Sequence, residues 1–356
     1  MKTLFRILIV LSFLAIIFFY TSSSDNLEPL EGPNSSSQII PKTEGDPEIG
    51  QDALPRPENG LSTLIGKSTR ELVDLYKEPN RYDKSAYGYE WWIYNQDPNQ
   101  YMMFAVADGV ITQVYTNSKV LDISPYKIGQ TLEDIYGMTI IESEVNAKID
   151  DSIYTFTMSE DDMNTRILSK FDGIFAQLYI DSDNGELAGI RFTDSKSLVM
   201  HRPYEMSFVG KLLSPPSPTS FLIEESNRAG AAQLTDLLNV FRVSNGLPIL
   251  LEDEKLTLVA MEHSEDMYSQ SYLSHESPTK GTLEERLDME EMAYKNAVEN
   301  IATSYFDPIE AVHGWLNSST HRRHMLSEEY TSLGSGVFIN YYTQVFIEKE
   351  KNEIEE

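Results

Sequence analysis

Apolar residues change their spacing along this chain, and each spacing marks a different kind of segment. A run from Ile7 to Tyr20, apolar except for Ser12, comes first, with Lys2 and Arg6 ahead of it and Thr21-Ser22-Ser23-Ser24 behind. A basic start, an apolar stretch and small residues have the form of an export signal. The run is also near the lower length for crossing a bilayer, and bulky Phe18, Phe19 and Tyr20 crowd the cleavage position. Residues 1–23 therefore read equally as signal peptide or as membrane anchor. Under either reading the basic end stays inside and the acidic bulk goes outside. Residues 24–60 are Ser, Pro, Glu, Gly and Asn with few large apolar side chains, too few to order themselves, and read as a disordered stalk.

From residue 61 to 200 the apolar positions cluster in short strand-like runs, and the runs repeat. Leu64-Ile65-Gly66-Lys67-Ser68-Thr69 leads into a helix through Leu72 and Leu75, then strands at Tyr89–Tyr94, Tyr101–Val106 and Val110–Tyr115. Lys127-Ile128-Gly129-Gln130-Thr131-Leu132 opens a second copy, with strands expected at Ser152–Phe156, Phe175–Ile180 and Leu187–Phe192. Asp108-Gly109 and Asn184-Gly185 separate the last two strands of each copy, and both dipeptides are strong hairpin signals. The pattern predicts a duplicated αβββ module, helices on antiparallel sheet, with Trp91, Trp92, Tyr94 and Phe104 in its core.

Residues 201–228 read as a linker because of Pro215, Pro216 and Pro218. In residues 229–347 the period lengthens. Leu234, Leu237, Leu238 and Phe241 fall at i, i+3, i+4 and i+7 of a helix that Gly246 stops. Asp253 caps a second helix whose inner face holds Leu256, Ala260, His263 and Met267. Asp307-Pro308-Ile309-Glu310 is a capping box for a third, with His313 beside its buried face. Strands at Leu333–Phe338 and Tyr342–Phe346 close the unit, and residues 348–356 form a charged tail.

The chain has 356 residues and a formal net charge of −28, which excludes a nucleic-acid partner because phosphate binding needs clustered Lys and Arg. It has no cysteine, so disulfides, zinc thiolates, a cysteine nucleophile and a lipidated cysteine are all excluded. Of six histidines, every one but His201 falls between His263 and His324. Imidazole titrates near neutrality and is the commonest metal ligand, so this stretch is where chemistry would sit.

Several motifs in that stretch occur in a recognisable order. They are Asn239-x-x-Arg242-x-x-x-Gly246-Leu247, Ala260-x-x-x-Ser264-x-x-Met267, Ser274-His275-x-Ser277-Pro278, Glu299-Asn300-Ile301-Ala302, Trp315-x-x-Ser318-x-x-His321-Arg322, Leu333-Gly334-x-Gly336 and Tyr342-Thr343-Gln344-x-Phe346. Together they resemble a bacterial-type CAP domain (cysteine-rich secretory protein, antigen five, pathogenesis-related-one), also called an SCP-like extracellular domain. The duplicated region resembles the CAP-associated N-terminal domain of secreted Firmicute proteins. The resemblance implies an α+β fold: a C-terminal α-β-α sandwich preceded by the duplicated helix-plus-antiparallel-sheet module.

The resemblance also implies a cleft where two His and two acidic residues meet and, in some members, hold a divalent metal. His275 and Glu299 match the first His and Glu of that set. Tyr341 stands where animal members carry the second His, and Ser318 where they carry the second Glu. His321 is the best substitute imidazole, with His324 in reserve and Asn300 beside Glu299. His275, His321 and Glu299 would make an open zinc or other divalent-metal site with water in the fourth place. The alternative is a buried hydrogen-bonded cluster that fixes the fold. The functional expectation is an exported envelope or secreted protein that binds an extracellular or envelope ligand and touches the membrane only through its N-terminal segment. A metal-dependent hydrolase acting on extracellular peptide or envelope material is the competing reading.

Overall fold

The computed structural model describes residues 28–33, 39–42, 53–139 and 141–349. The apolar run at the N-terminus, most of the stalk and nearly all of the charged tail lie outside the described residues.

The duplicated module is built on a seven-stranded antiparallel sheet. Its order is Arg81–Lys84, Glu90–Tyr94, Met102–Ala107, Val110–Thr116, Glu186–Thr193, Ile174–Asp181, Arg166–Phe171. The last strands of the two copies, Val110–Thr116 and Glu186–Thr193, pair at the centre, so the copies meet back to back. Equivalent turns repeat bond for bond: Gly66 N–H donates to Ile111 O at 2.8 Å and Gly129 N–H to Leu187 O at 2.8 Å. Helices Thr69–Tyr76 and Leu132–Met138 start at equivalent caps, Ser68 and Thr131.

The second copy departs from the expected strand set. Ser152–Thr157 leaves the large sheet and joins Glu144–Ile149, Glu205–Val209 and Ile39–Pro41 in a four-stranded sheet. Its place is taken by Arg166–Phe171. An arginine at the head of that strand hid it in the sequence. The charge is tolerated because Asp162 and Glu310 both bind the guanidinium, at 2.6 and 3.0 Å.

The expected linker is also mostly ordered. Ser195–His201 is a helix, Glu205–Val209 a strand, and the long helix Ser220–Ser244 begins at a Thr219 cap. Irregular are residues 202–204 and the proline-bearing stretch between Val209 and Ser220. Stalk residues depart likewise: Leu30–Glu31 adds to the C-terminal sheet and Ile39–Pro41 to the four-stranded one.

The C-terminal unit is a five-stranded sheet in the order Leu30–Glu31, Asn296–Thr303, Tyr341–Glu348, Ser332–Phe338, Leu251–Glu252. Successive side chains of a strand point to opposite faces, and Gly334-Ser335-Gly336 shows what covers each. Ser335 Oγ accepts from Thr235 on Ser220–Ser244 at 3.0 Å. Gly334 and Gly336 bring the other face against the backbone of Leu256 and Ala260 on helix Glu254–Gln270, where any Cβ would collide. Helices on both faces make the expected α-β-α sandwich.

The two units share one hydrophobic core. Trp91, Tyr101, Met103, Tyr115 and Tyr179 from the large sheet pack with Leu234, Leu237, Phe241, Ile309 and Trp315 from the C-terminal helices. Trp91, Tyr94 and Phe104 are buried as expected, while Trp92 is half-buried with its ring edge-on to Tyr82. Covered on both faces, strand Ile174–Asp181 has all eight residues buried, which explains its nearly continuous apolar sequence.

Helix Pro308–Leu316 is the main cross-piece. Asp307 caps it through Glu310 N–H at 3.1 Å and also binds buried Arg191 at 2.6 Å. The expected capping box is only half formed, because the Glu310 carboxylate turns away to Arg166 and Gln177 of the other unit. His313 stacks on Tyr179 at 4.3 Å and hydrogen-bonds the Tyr115 hydroxyl at 2.9 Å.

Candidate functional site

Strand Asn296–Thr303 places Glu299 at the centre of a buried cluster. Its Oε1 accepts from Arg286 Nη2 at 2.8 Å and from His275 Nδ1 at 2.9 Å, and His263 Nε2 lies 3.9 Å away. Each partner arrives on a different element. His263 comes from the inner face of helix Glu254–Gln270, as its apolar spacing predicts, and also contacts Ser274 O at 3.1 Å. His275 lies on the loop after that helix, which turns at Ser271 in the left-handed region (φ 57). Asp266 fastens the loop by accepting from Ser277 Oγ at 2.7 Å and Thr279 Oγ1 at 3.2 Å. Arg286 projects from the short helix Leu283–Met289, which a Thr282/Glu285 capping box starts. It also binds His275 O at 3.0 Å.

Burial alone would push the Glu299 carboxyl up. The His275 hydrogen bond and the Arg286 charge outweigh it and hold the group at about 2. Burial pushes His263 down to about 4 despite the neighbouring Glu299.

Asn300, next along the strand, serves the opposite flank. Its Oδ1 accepts from His324 Nδ1 at 2.8 Å and its Nδ2 donates to His321 O at 3.1 Å. His321 Nδ1 in turn meets Ser318 Oγ at 2.7 Å. Burial, then the charges of His324 and His275, push His321 down to about 4.

Of the sequence-predicted residues, His275 meets Glu299, while His321, His324 and Ser318 gather around Asn300, the next residue along the strand. Tyr341 is not among them. It lies four register positions along the sheet from Glu299, with its ring against Tyr268. His263, expected to be structural, is buried and hydrogen-bonded, yet stands close enough to Glu299 to belong to the cluster. Arg286 was missed altogether. The signal was present: Leu283, Arg286 and Leu287 fall on one helical face, so a guanidinium on an apolar stripe required a buried carboxylate.

The hydrogen bonds fix the imidazole tautomers. A carboxylate and an amide oxygen accept only, so Nδ1 must be the donor in His275 and in His324. In neutral His275 the Nε2 lone pair is then bare. His275 Nε2, His321 Nε2 and Glu299 Oε2 are all buried and without a hydrogen-bond partner among the described residues. As acceptors, His275 Nε2 and Glu299 Oε2 suit a cation or a ligand O–H or N–H, while His321 Nε2 accepts or donates according to which way the Ser318 hydrogen bond runs.

Among the described residues no group of three or more His, Cys, Asp or Glu side chains is arranged to hold a metal ion. The reason lies in Glu299, whose Oε1 is already shared by Arg286 and His275. A guanidinium occupies the position of counter-ion to this carboxylate.

Comparisons with known proteins agree with this architecture. Residues 65–204 match the CAP-associated N-terminal family model and residues 235–347 the cysteine-rich secretory protein family model. The chain is 38% identical over 293 residues to the uncharacterized membrane protein YlbC of Bacillus subtilis (strain 168), covering 82% of this chain and 85% of that one. An extracellular SCP-domain protein from Bacillus anthracis superposes with a TM-score of 0.78 at 34% identity, over 86% of this chain and 100% of that chain. A cysteine-rich secretory protein from Staphylococcus aureus gives a TM-score of 0.74 at 26% identity, over 90% of this chain and 100% of that chain. The chain thus belongs to the cysteine-rich secretory protein family, as a CAP domain fused to a CAP-associated N-terminal domain.

Proposed function

We propose that this protein works on the outer side of the cell membrane as a binding protein, and that its CAP domain takes an extracellular or envelope ligand at the His275–Glu299–Arg286–His321 cluster. The location rests on the export-type N-terminus together with relatives described as a membrane protein and as an extracellular protein. The observation that carries the binding role is the set of buried polar atoms without partners among the described residues, His275 Nε2, His321 Nε2 and Glu299 Oε2. Groups of this kind are satisfied by something that arrives from outside.

Binding is favoured over turnover by the proton affinities of the same groups. A general acid or base works best with a pKa near the operating pH. Glu299 is held at about 2 and His321 at about 4, far from neutrality. Ser277 Oγ is bonded to Asp266, and Ser318 bonds a histidine whose other nitrogen has no carboxylate to orient it.

The two imidazole Nε2 atoms favour a second reading, a metal-dependent hydrolase, in which His275 and His321 would hold a zinc or other divalent ion. Such an ion would polarise a carbonyl or bound water. Calorimetric titration with zinc, alongside native mass spectrometry of protein recovered from the producing cells, separates the two. The binding reading expects a co-purifying organic ligand that is lost in His275→Ala, and no saturable zinc site. Stoichiometric zinc abolished by both His275→Ala and His321→Ala would overturn it in favour of the hydrolase.

A further inference from the structure

The segment Leu30–Pro33 lies on the CAP sheet, although its composition placed it in the stalk. Leu30 and Glu31 pair in parallel with Ala302 and Thr303, and Gly32 N–H donates to Thr303 O at 2.8 Å. Only glycine fits at the third position, because a Cβ there would stand 2.7 Å from Ser304 O and 2.9 Å from the Tyr305 ring. Leu30 packs beside the Tyr305 ring over Gly314, its Cδ2 3.1 Å from where a Cβ of that glycine would be. Leu30, Glu31 and Pro33 also wall one side of a cleft of ≈ 370 Å3 whose other sides include Arg166, Asn317 and Ser318. The neighbouring strand Asn296–Thr303 is bonded to Tyr341–Glu348 on its far side, so without the segment it is the edge of the sheet. Edge strands are templates for extended peptides, with backbone bonds supplying affinity and side-chain pockets supplying specificity.

We propose that the edge of Asn296–Thr303 and the surface at Tyr305 and Gly314 form a receptor for an extended peptide of pattern Leu-x-Gly-Pro, and that Leu30–Pro33 of the same chain is its resident ligand. The segment fastens the N-terminal tether to the CAP domain and closes the cleft beside Ser318. Leu30 opposite Ala302 sets a parallel register in which a longer strand runs back past Asn300 and Glu299.

The test uses the full chain and a labelled peptide with the sequence of residues 26–35. Wild type, whose receptor is filled, binds the peptide poorly. Gly32→Val and Leu30→Asp each eject the resident segment, and both variants bind the peptide at least about tenfold more tightly than wild type does. A peptide carrying the same glycine-to-valine change does not bind. In wild type the Gly32 amide is protected from hydrogen exchange. Failure of both vacated variants to gain peptide affinity, or fast exchange at Gly32, overturns the proposal. A wild-type dimer that Gly32→Val converts to monomer would also overturn it, since the occupant would then be a second copy.

Discussion

Glu299 shows how far one residue's surroundings decide its chemistry. It is buried to 2% exposure with Arg286 at 3%, so neither charge is tolerable without the other. Arg286→Met strands the carboxylate and should cost about 3–5 kcal/mol in urea denaturation. The double variant Arg286→Met/Glu299→Gln should recover part of that loss, and a single-variant cost below about 1 kcal/mol would contradict the ion pair's role. At this scale the sequence was informative where motifs fix residues at short spacing, as for His275, Glu299 and His321. It was blind to Arg286, which approaches Glu299 only after the loop from Ser271 to Thr282 folds back. Tyr341 failed for the opposite reason: sequence position beside a motif does not carry a side chain four register positions along a sheet.

Among the elements, helix Pro308–Leu316 holds the protein together at its waist. Its N-cap does two jobs, and the effect of removing it should exceed that of an ordinary cap. A cap lost to alanine costs about 1 kcal/mol. Asp307→Ala also strands Arg191, which is fully buried, and should cost about 3–5 kcal/mol. Asp307→Asn keeps the cap and loses the charge, so thermal melts should place it between wild type and Asp307→Ala. The cap was legible in the sequence because Asp-Pro-x-Glu is a local signal. The direction of Glu310 was not, because its partner Arg166 is 144 residues away. The missed strand Arg166–Phe171 has the same cause, since local pattern treats a leading arginine as surface.

On the scale of the whole molecule, the shared core makes two sequence units into one folding unit. Calorimetry of the intact chain should show a single unfolding transition, and two resolved transitions would contradict the common core. The seam is also acid-sensitive. Burial, then the Arg191 charge, pushes His313 from an ordinary 6.5 down to about 3. Below pH 6.5 the unfolded chain takes a proton that the folded chain refuses, so this histidine's share of stability is lost as pH falls toward 3. The slope is about 1.4 kcal/mol per pH unit for one proton. His313→Gln keeps a donor and acceptor near Tyr115 and should flatten the pH dependence by that one-proton slope in denaturant titrations. The duplication and the sandwich were readable from periodicity and motifs. Their fusion was not, because apolar spacing shows that a sheet face is buried without showing what buries it.

The body so assembled leaves His275 Nε2 bare beside Glu299, and the binding role depends on that nitrogen. Long-range 1H–15N NMR of the intact protein at about pH 8, where imidazoles of ordinary pKa are neutral, tests it most directly. The proton of His275 is expected on Nδ1, facing Glu299, with Nε2 unprotonated. A proton found on His275 Nε2 would contradict it.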